Sequence, residues 1–447
     1  MKTAQLKQLV LISAVAAMLA ACGGGGGSTA VAVPPSPVVC TATQVNQNGV
    51  CVTPPVTAIT APLPVFKTSY ENKNSILLDN PKIPSVSNIK GLIREDGEQN
   101  FNLRAVAFAD FMQDGSLMAM TVSTFNKNVY PAFNTQKWPD SPSKVYLLKQ
   151  NTNGEWLDVT ATLIKDSASR YICVTAGFIE IADFNNDGKP DAFVSCTGPD
   201  FLINGKFDDN SLQYVMLSQT DGTYRISILP IPPMYSHQSA AADFDGDGNV
   251  DIITVNPRPN ERPFILFGNG DGTFRVDKTK FPADMTDKAI FGIMAVPVNG
   301  SLNVLVSGNA PGWTTSTLPG DYGFKVLQYK NGSFQYTNDL TSGIPKVTQL
   351  GTTYQLVLDA IYANGYYYTI WYDGTFQYSA IAKTNATTGL STILAESKSG
   401  PNNSGPSMVI KLTSKNSIVS QMAACNQFSY TVGNYYYYEC TYSIPIN

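Results

Sequence analysis

Histidine is almost missing from this chain: His237 is the only one in 447 residues. A metal centre built on several imidazoles is therefore excluded, and any Ser-His-Asp chemistry would have to run through that one side chain. No Cys-x-x-Cys pair occurs, which removes the usual zinc and dithiol motifs. No Gly-x-Ser-x-Gly elbow and no phosphate loop is present. Charged residues make up only 14% of the chain, against about 25% in soluble domains. No basic patch marks a nucleic-acid partner. Beyond the first twenty-odd residues, no run is long and apolar enough to cross a membrane as a helix. Convincing helical periodicity is absent as well.

What is present begins with an export signal over residues 1–21. Lys2 and Lys7 precede an apolar run, Leu9 to Leu19, too short to span a bilayer, and small residues follow. The stretch Leu19-Ala20-Ala21-Cys22 resembles the lipobox of bacterial lipoproteins, in which the cysteine is lipidated and becomes the mature N-terminus. An ordinary signal peptide with an incidental cysteine is the other reading. The resemblance implies a membrane partner through the lipid on Cys22. Because no Asp follows Cys22, it also implies an outer-membrane destination, facing the periplasm or the cell surface. Loss of Lys2 and Lys7 on cleavage moves the net charge from −4 to −6. Residues 22–65 read as the lipidated cysteine and a flexible linker rich in Gly and Pro.

Seven cysteines leave six once Cys22 is set aside, an even number suited to an oxidising compartment. They fall into close pairs: Cys40 with Cys51, Cys173 with Cys196, and Cys425 with Cys440. Short loops favour this pairing as disulfides, out of fifteen connectivities. Reduced, buried cysteines are the alternative.

From residue 66 to 447 the texture is that of short strands punctuated by Asn-Gly and Asp-Gly turns, which supply the positive φ of tight hairpins. The turns recur. Gly154, Gly222, Gly272, Gly332 and Gly389 follow one another at steps of 68, 50, 60 and 57 residues. Each repeat reads as four strands, as in 240–244, 250–255, 264–267 and 273–276. A further unit runs from Met408 to the end, with last strands over 428–432 and 435–443, and Ser75-Ile-Leu-Leu falls in what could be a degenerate seventh. Four-stranded repeats of this length predict an all-β chain, a β-propeller of six or seven four-stranded blades. A tandem array of independent β domains is the competing reading, weakened because each unit is too small to bury a core alone.

Two repeats carry nearly identical loops. Asp183-Phe-Asn-Asn-Asp-Gly-Lys-Pro-Asp191 and Asp243-Phe-Asp-Gly-Asp-Gly-Asn-Val-Asp251 both read D-x-[DN]-x-[DN]-G-x-x-D. Oxygen side chains at alternate positions of a tight loop converge, and converging carboxylates call for a hard cation such as calcium. These loops, with the apolar run before them, the Asp-Ile-Ile or Asp-Ala-Phe strand after them and Gly270-Asp-Gly-Thr-Phe274 downstream, resemble FG-GAP/VCBS-type repeats, which also occur in integrin α-subunit propellers. The resemblance implies two Ca2+ sites. Their ligands would be Asp183, Asn185, Asp187 and Asp191 with the carbonyl of Lys189, and Asp243, Asp245, Asp247 and Asp251 with the carbonyl of Asn249. An EF-hand is excluded because the twelfth position is Val194 in one loop and Thr254 in the other. In the first repeat Asp110 and Asp114 survive, while Met112 and Met118 replace two ligands. In the fourth and fifth, aligned on Gly300 and Gly365, the ligand carboxylates are gone.

The function implied is a calcium-binding, envelope-anchored lipoprotein whose propeller binds a protein or polysaccharide. A propeller-type polysaccharide lyase or glycosidase, and a structural component of the outer membrane, are alternatives. His237 reads as a hydrogen-bonded structural residue before it reads as a base. The tyrosine clusters 366–372 and 435–438 read as packing between blades before they read as sugar-stacking platforms.

Overall fold

A computed structural model describes, with side chains, most of residues 107–122, 144–196, 211–256, 263–308, 322–373 and 378–396. Backbone strands alone are described at 45–47, 50–52, 89–90, 102–106, 202–203 and 206–207, and between 410 and 445. The chain divides into two units, 1–62 and 63–447. In the first, Val45–Gln47 and Val50–Val52 form an antiparallel hairpin. Cys51 lies in it; its expected partner Cys40, the signal segment and Cys22 lie outside the described residues.

The second unit is an all-β propeller. Blade 1 consists of Asn102–Ala109, Met118–Thr124, Val145–Gln150 and Trp156–Asp158. Blade 2 is Ala176–Ala182, Asp191–Cys196, Tyr214–Ser218 and Tyr224–Ile228. Blade 3 is Gln238–Ala242, Asp251–Val255, Phe264–Gly268 and Phe274–Asp277. Blade 4 is Ile290–Val298, Ser301–Gly308, Phe324–Lys330 and Ser333–Asp339. Blade 5 is Leu356–Ala363, Tyr366–Tyr372, Tyr378–Asn385 and Ser391–Lys398. Within each blade every strand pairs antiparallel with the next, and the first strands of successive blades pack side by side.

Alternation of side chains explains why these sheets stack. In a strand, successive residues point to opposite faces. Ile252 and Leu266 of blade 3 join one core with Phe184, Phe193 and Val215 of blade 2. Their neighbours Ile253 and Ile265 join another with Ile290, Val304 and Leu327 of blade 4. The same division places Ile181 and Ala192 against Met118 and Leu147 of blade 1, and Met294 and Leu305 against Val357 and Trp371 of blade 5. Four cores thus lie between five blades, each made of two facing sheets. A single unit of this kind has two apolar faces and no stable existence alone, so the tandem array of independent domains is set aside.

The blade count expected from the sequence is corrected. Among the described residues five complete four-stranded blades are present, not six or seven. The C-terminal unit forms a three-stranded sheet of Ile410–Leu412, Ser417–Met422 and Cys440–Pro445, with Ile410–Leu412 packed beside the first strand of blade 5. Among the described residues Ser429–Val432 and Tyr435–Tyr438 pair only with each other, Val432 opposite Tyr435. The two strands are only two residues apart in the sequence, so they pair locally instead of extending the sheet. Upstream, Ile89–Lys90 adds a parallel fifth strand to blade 1 along Trp156–Leu157 and founds no seventh blade. Ser75-Ile-Leu-Leu lies outside the described residues.

The tyrosine-rich strand of blade 5 is interior. Tyr367, Tyr368, Trp371 and Tyr372 are each at most 2% exposed, which fits packing and not a sugar platform. At the junction of blades 3 and 4, Phe334 stacks on Phe281 with ring centroids 4.3 Å apart and meets Phe244 and Tyr329 edge-on. Phe334→Ala removes this joint. We expect a loss of about 3–5 kcal/mol in urea unfolding; a loss under about 1 kcal/mol would show that this junction does not hold the two blades.

Candidate metal-binding rim

The turns between first and second strands gather on one rim, and three of them share a backbone course. Ala109 pairs with Met118, Ala182 with Asp191 and Ala242 with Asp251, so each loop leaves and re-enters its sheet in the same register. The fourth loop residue has positive φ in all three, 54° at Gln113, 58° at Asn186 and 82° at Gly246. The sixth is Gly115, Gly188 or Gly248, again at positive φ.

The first residue of each loop organises it. Asp110, Asp183 and Asp243 each accept two backbone N–H bonds from residues three to five positions on; Asp183 takes those of Asp187 and Gly188 at 3.0 and 2.9 Å. The fifth accepts from the seventh: Lys189 N to Asp187 Oδ1 at 2.9 Å and Asn249 N to Asp247 Oδ1 at 2.7 Å.

The ninth residue is buried. Asp191 and Asp251 are both 0% exposed. In Asp251 one oxygen accepts from Phe244 N at 3.0 Å and the other from Gly268 N at 2.9 Å. Asp191 does the same with Phe184 N at 2.8 Å and Ser218 N at 2.7 Å. Both carboxylates therefore tie the loop to the third strand of their own blade. Burial pushes each up to about 7, working against these amide hydrogen bonds; Asp187 repels Asp191, and Asp243 and Asp245 repel Asp251. Met118 fills the same position in blade 1 as an apolar core residue, also 0% exposed.

The two full loops differ in what their oxygens can do. In blade 3, Asp243, Asp245 and Asp247 each place a carboxylate oxygen within 4.8 Å of the others. Oxygens each about 2.4 Å from one ion are separated by at most about 4.8 Å, so the set fits a calcium-sized cation. Burial and the two neighbouring carboxylates raise Asp245 above the usual range, the strain a cation would relieve. Asn249 donates its amide to Asp247 Oδ2 at 3.1 Å, leaving the carbonyl assigned to it as backbone. In blade 2, by contrast, Asn185 turns its amide to Ser218 O at 3.2 Å. Ser218 Oγ donates to Asp187 Oδ2 at 2.8 Å, and Lys189 Nζ stands 3.9 Å from that same oxygen.

Neighbouring loops are stitched together. Gln113 Nε2 donates to Gly188 O at 3.1 Å, and Asn186 Nδ2 to Asn249 Oδ1 at 2.8 Å. Between blades 4 and 5, Asn299 and Asn303 donate to the hydroxyls of Tyr362 and Tyr367 at 3.2 and 2.7 Å. Those two blades have no nine-residue loop. Val298 pairs with Ser301 and Ala363 with Tyr366 across two-residue Asn-Gly turns, so the residues that align with loop position three when Gly300 and Gly365 are taken as position six, Pro297 and Tyr362, lie in strands. The Asn–Tyr bonds were not foreseen; their only sequence signal is an Asn at or just after the turn.

His237 donates Nδ1–H to the Phe291 carbonyl at 2.7 Å and meets the Phe291 ring edge-on, bracing blade 3 against blade 4. Cys196 ends the second strand of blade 2 and is buried; Cys173, Cys425 and Cys440 have no described side chains.

No protein-family model matches the sequence, and no curated protein is similar to it. Among solved structures the chain is similar to the GH93 α-L-arabinofuranosidase of Fusarium graminearum in complex with arabinobiose, at 11% identity and a TM-score of 0.48 over 77% of this chain and 92% of that one. It is similar to a protein of unknown function from Dyadobacter fermentans, at 11% identity and 0.46, over 79% and 97%. A fucose-specific lectin from Aleuria aurantia matches at 10% and 0.40, over 76% and 94%. Likeness at this level carries nothing about ligand or activity.

The glycines of Gly270-Asp-Gly-Thr-Phe have a local reason. A Cβ on Gly270 would lie 2.3 Å from Asn249 Oδ1 and 2.4 Å from Asn186 Nδ2, on the bond joining the two loops, at φ +77°. Gly246 has φ +82° but open space. Gly246→Ala therefore pays only backbone strain, about 1–2 kcal/mol. Gly270→Ala adds the clash and exceeds it by at least about 1 kcal/mol. Equal losses in chemical denaturation would refute the packing role of Gly270.

Proposed function

We propose that the chain is a calcium-stiffened propeller, exported and held to the bacterial outer membrane by lipid on Cys22, that presents a rigid face to a protein or polysaccharide. The observation that carries the metal part is the convergence of Asp243, Asp245 and Asp247. Calcium there would relieve the mutual repulsion of three carboxylates and the raised state of buried Asp251 beside them. Its role is structural, because equivalent turns in blades 4 and 5 dispense with the loop altogether. Binding is preferred to catalysis because the one histidine is engaged with a backbone carbonyl and the buried rim carboxylate Asp251 with backbone amides. Cys173–Cys196 is proposed as a disulfide.

Calcium bound to the folded state alone stabilises it by about 2.7 kcal/mol at a hundredfold excess over Kd. We expect chelator to lower the melting temperature and Asp247→Ala to abolish most of that response. Identical melts with and without chelator would defeat the metal assignment. Cys22→Ser expressed in a bacterial host should accumulate unprocessed and fail to take up labelled fatty acid; acylation of the variant would overturn the anchor. A glycan and envelope-protein binding screen with and without calcium tests the ligand class.

A further inference from the structure

The three homologous loops share a backbone course but not a counter-charge. In blade 1, Lys149 reaches from the third strand to place Nζ 2.5 Å from Asp114 Oδ2 and 3.8 Å from the Met112 sulfur. It thereby sits between loop positions three and five, and its hydrogen bond is the first cause holding the Asp114 carboxyl down at about 2. In blade 2, position seven is itself a lysine: Lys189 anchors Nζ on Gln219 O at 2.8 Å and faces Asp187 at 3.9 Å. In blade 3 position seven is the neutral Asn249, and among the described residues no basic side chain pairs with Asp243, Asp245 or Asp247. Arg275 lies near enough to lower Asp245 but pairs with Asp277, at 3.8 Å.

We propose that Lys149 and Lys189 are built-in counter-cations, ammonium groups that do in blades 1 and 2 what a divalent ion does in blade 3, so that the chain takes one tight calcium ion and not two. This rests on the calcium reading of the blade 3 loop. An ammonium about 4 Å from a ligand oxygen repels a divalent ion enough to weaken its binding roughly tenfold. Lys189 has a second acceptor holding it in place, so the ion must displace it or tolerate it. Blade 1 goes further, since Met112 and Met118 offer no oxygen and a single positive charge suffices for Asp110 and Asp114.

The experiment is calcium equilibrium dialysis on the mature chain and on Lys189→Gln, with melts in chelator for Lys149→Gln and Lys149→Arg. We expect one tight equivalent in the wild type, a second at least tenfold weaker, and a narrowing of that gap by about tenfold in Lys189→Gln. Lys149→Gln should melt about 2 °C lower, the modest shift proper to a half-exposed pair, and Lys149→Arg should recover most of it. Two equal equivalents in the wild type, an unchanged second affinity in Lys189→Gln, or wild-type melting of Lys149→Gln would each overturn the proposal. No tight equivalent in the wild type would fail the blade 3 reading itself; the melts in chelator then decide the role of Lys149 separately.

Discussion

The inner strands of blades 2, 3 and 4 have to serve two interfaces at once. Ile252 and Ile253 are adjacent in sequence, yet one seals blade 3 to blade 2 and the other seals it to blade 4. Among the described residues no blade owns a core: blades 2, 3 and 4 each own half of two, and blades 1 and 5 half of one. The constraint explains the dense apolar runs of the second strands, Asp191–Cys196 and Asp251–Val255, in which every residue is buried. It also explains why polar residues withdraw to the outer strands and the rims, and why charge is so sparse over the chain.

The rim handles the residual polarity. In blades 2 and 3 an aspartate at position nine fastens the long loop's backbone to the third strand, and in blades 1 and 2 a lysine stands against the exposed carboxylates. Where the join is a two-residue Asn-Gly turn, asparagine-to-tyrosine bonds carry the link to the next blade. Both devices answer one problem, the need to satisfy polar groups where two sheets diverge. Carboxylates and backbone amides do so in blade 3, lysines join them in blades 1 and 2, and neutral amides and phenols do so between blades 4 and 5.

The repeat, the strand texture and the loops of blades 2 and 3 were legible because they are local: a turn glycine, a D-x-[DN]-x-[DN]-G pattern and an alternating run each report on a few neighbouring residues. The strands of blade 3 fall within two residues of their expected bounds. The blade count was not legible, because hairpin pairing by Ser429–Val432 and Tyr435–Tyr438 depends on which partner strand is nearer in space. Nor was the inequality of the two loops. Lys189 was visible in the motif as a backbone ligand, but the approach of its ammonium to Asp187 depends on Gln219, thirty residues away. Lys149 acts from a different strand and carries no motif at all.

The parallel strand Ile89–Lys90 joins the outer edge of blade 1 through only two residue pairs, with Trp156 and Leu157. A force drawn along the chain from its N-terminal side is delivered there, at the periphery of the first sheet, before it reaches any strand that two neighbours sandwich. Two pairs yield at far lower load than a buried sheet. The edge can therefore peel like a tab while the packed sheets stay whole, which makes this short pairing the molecule's mechanical fuse.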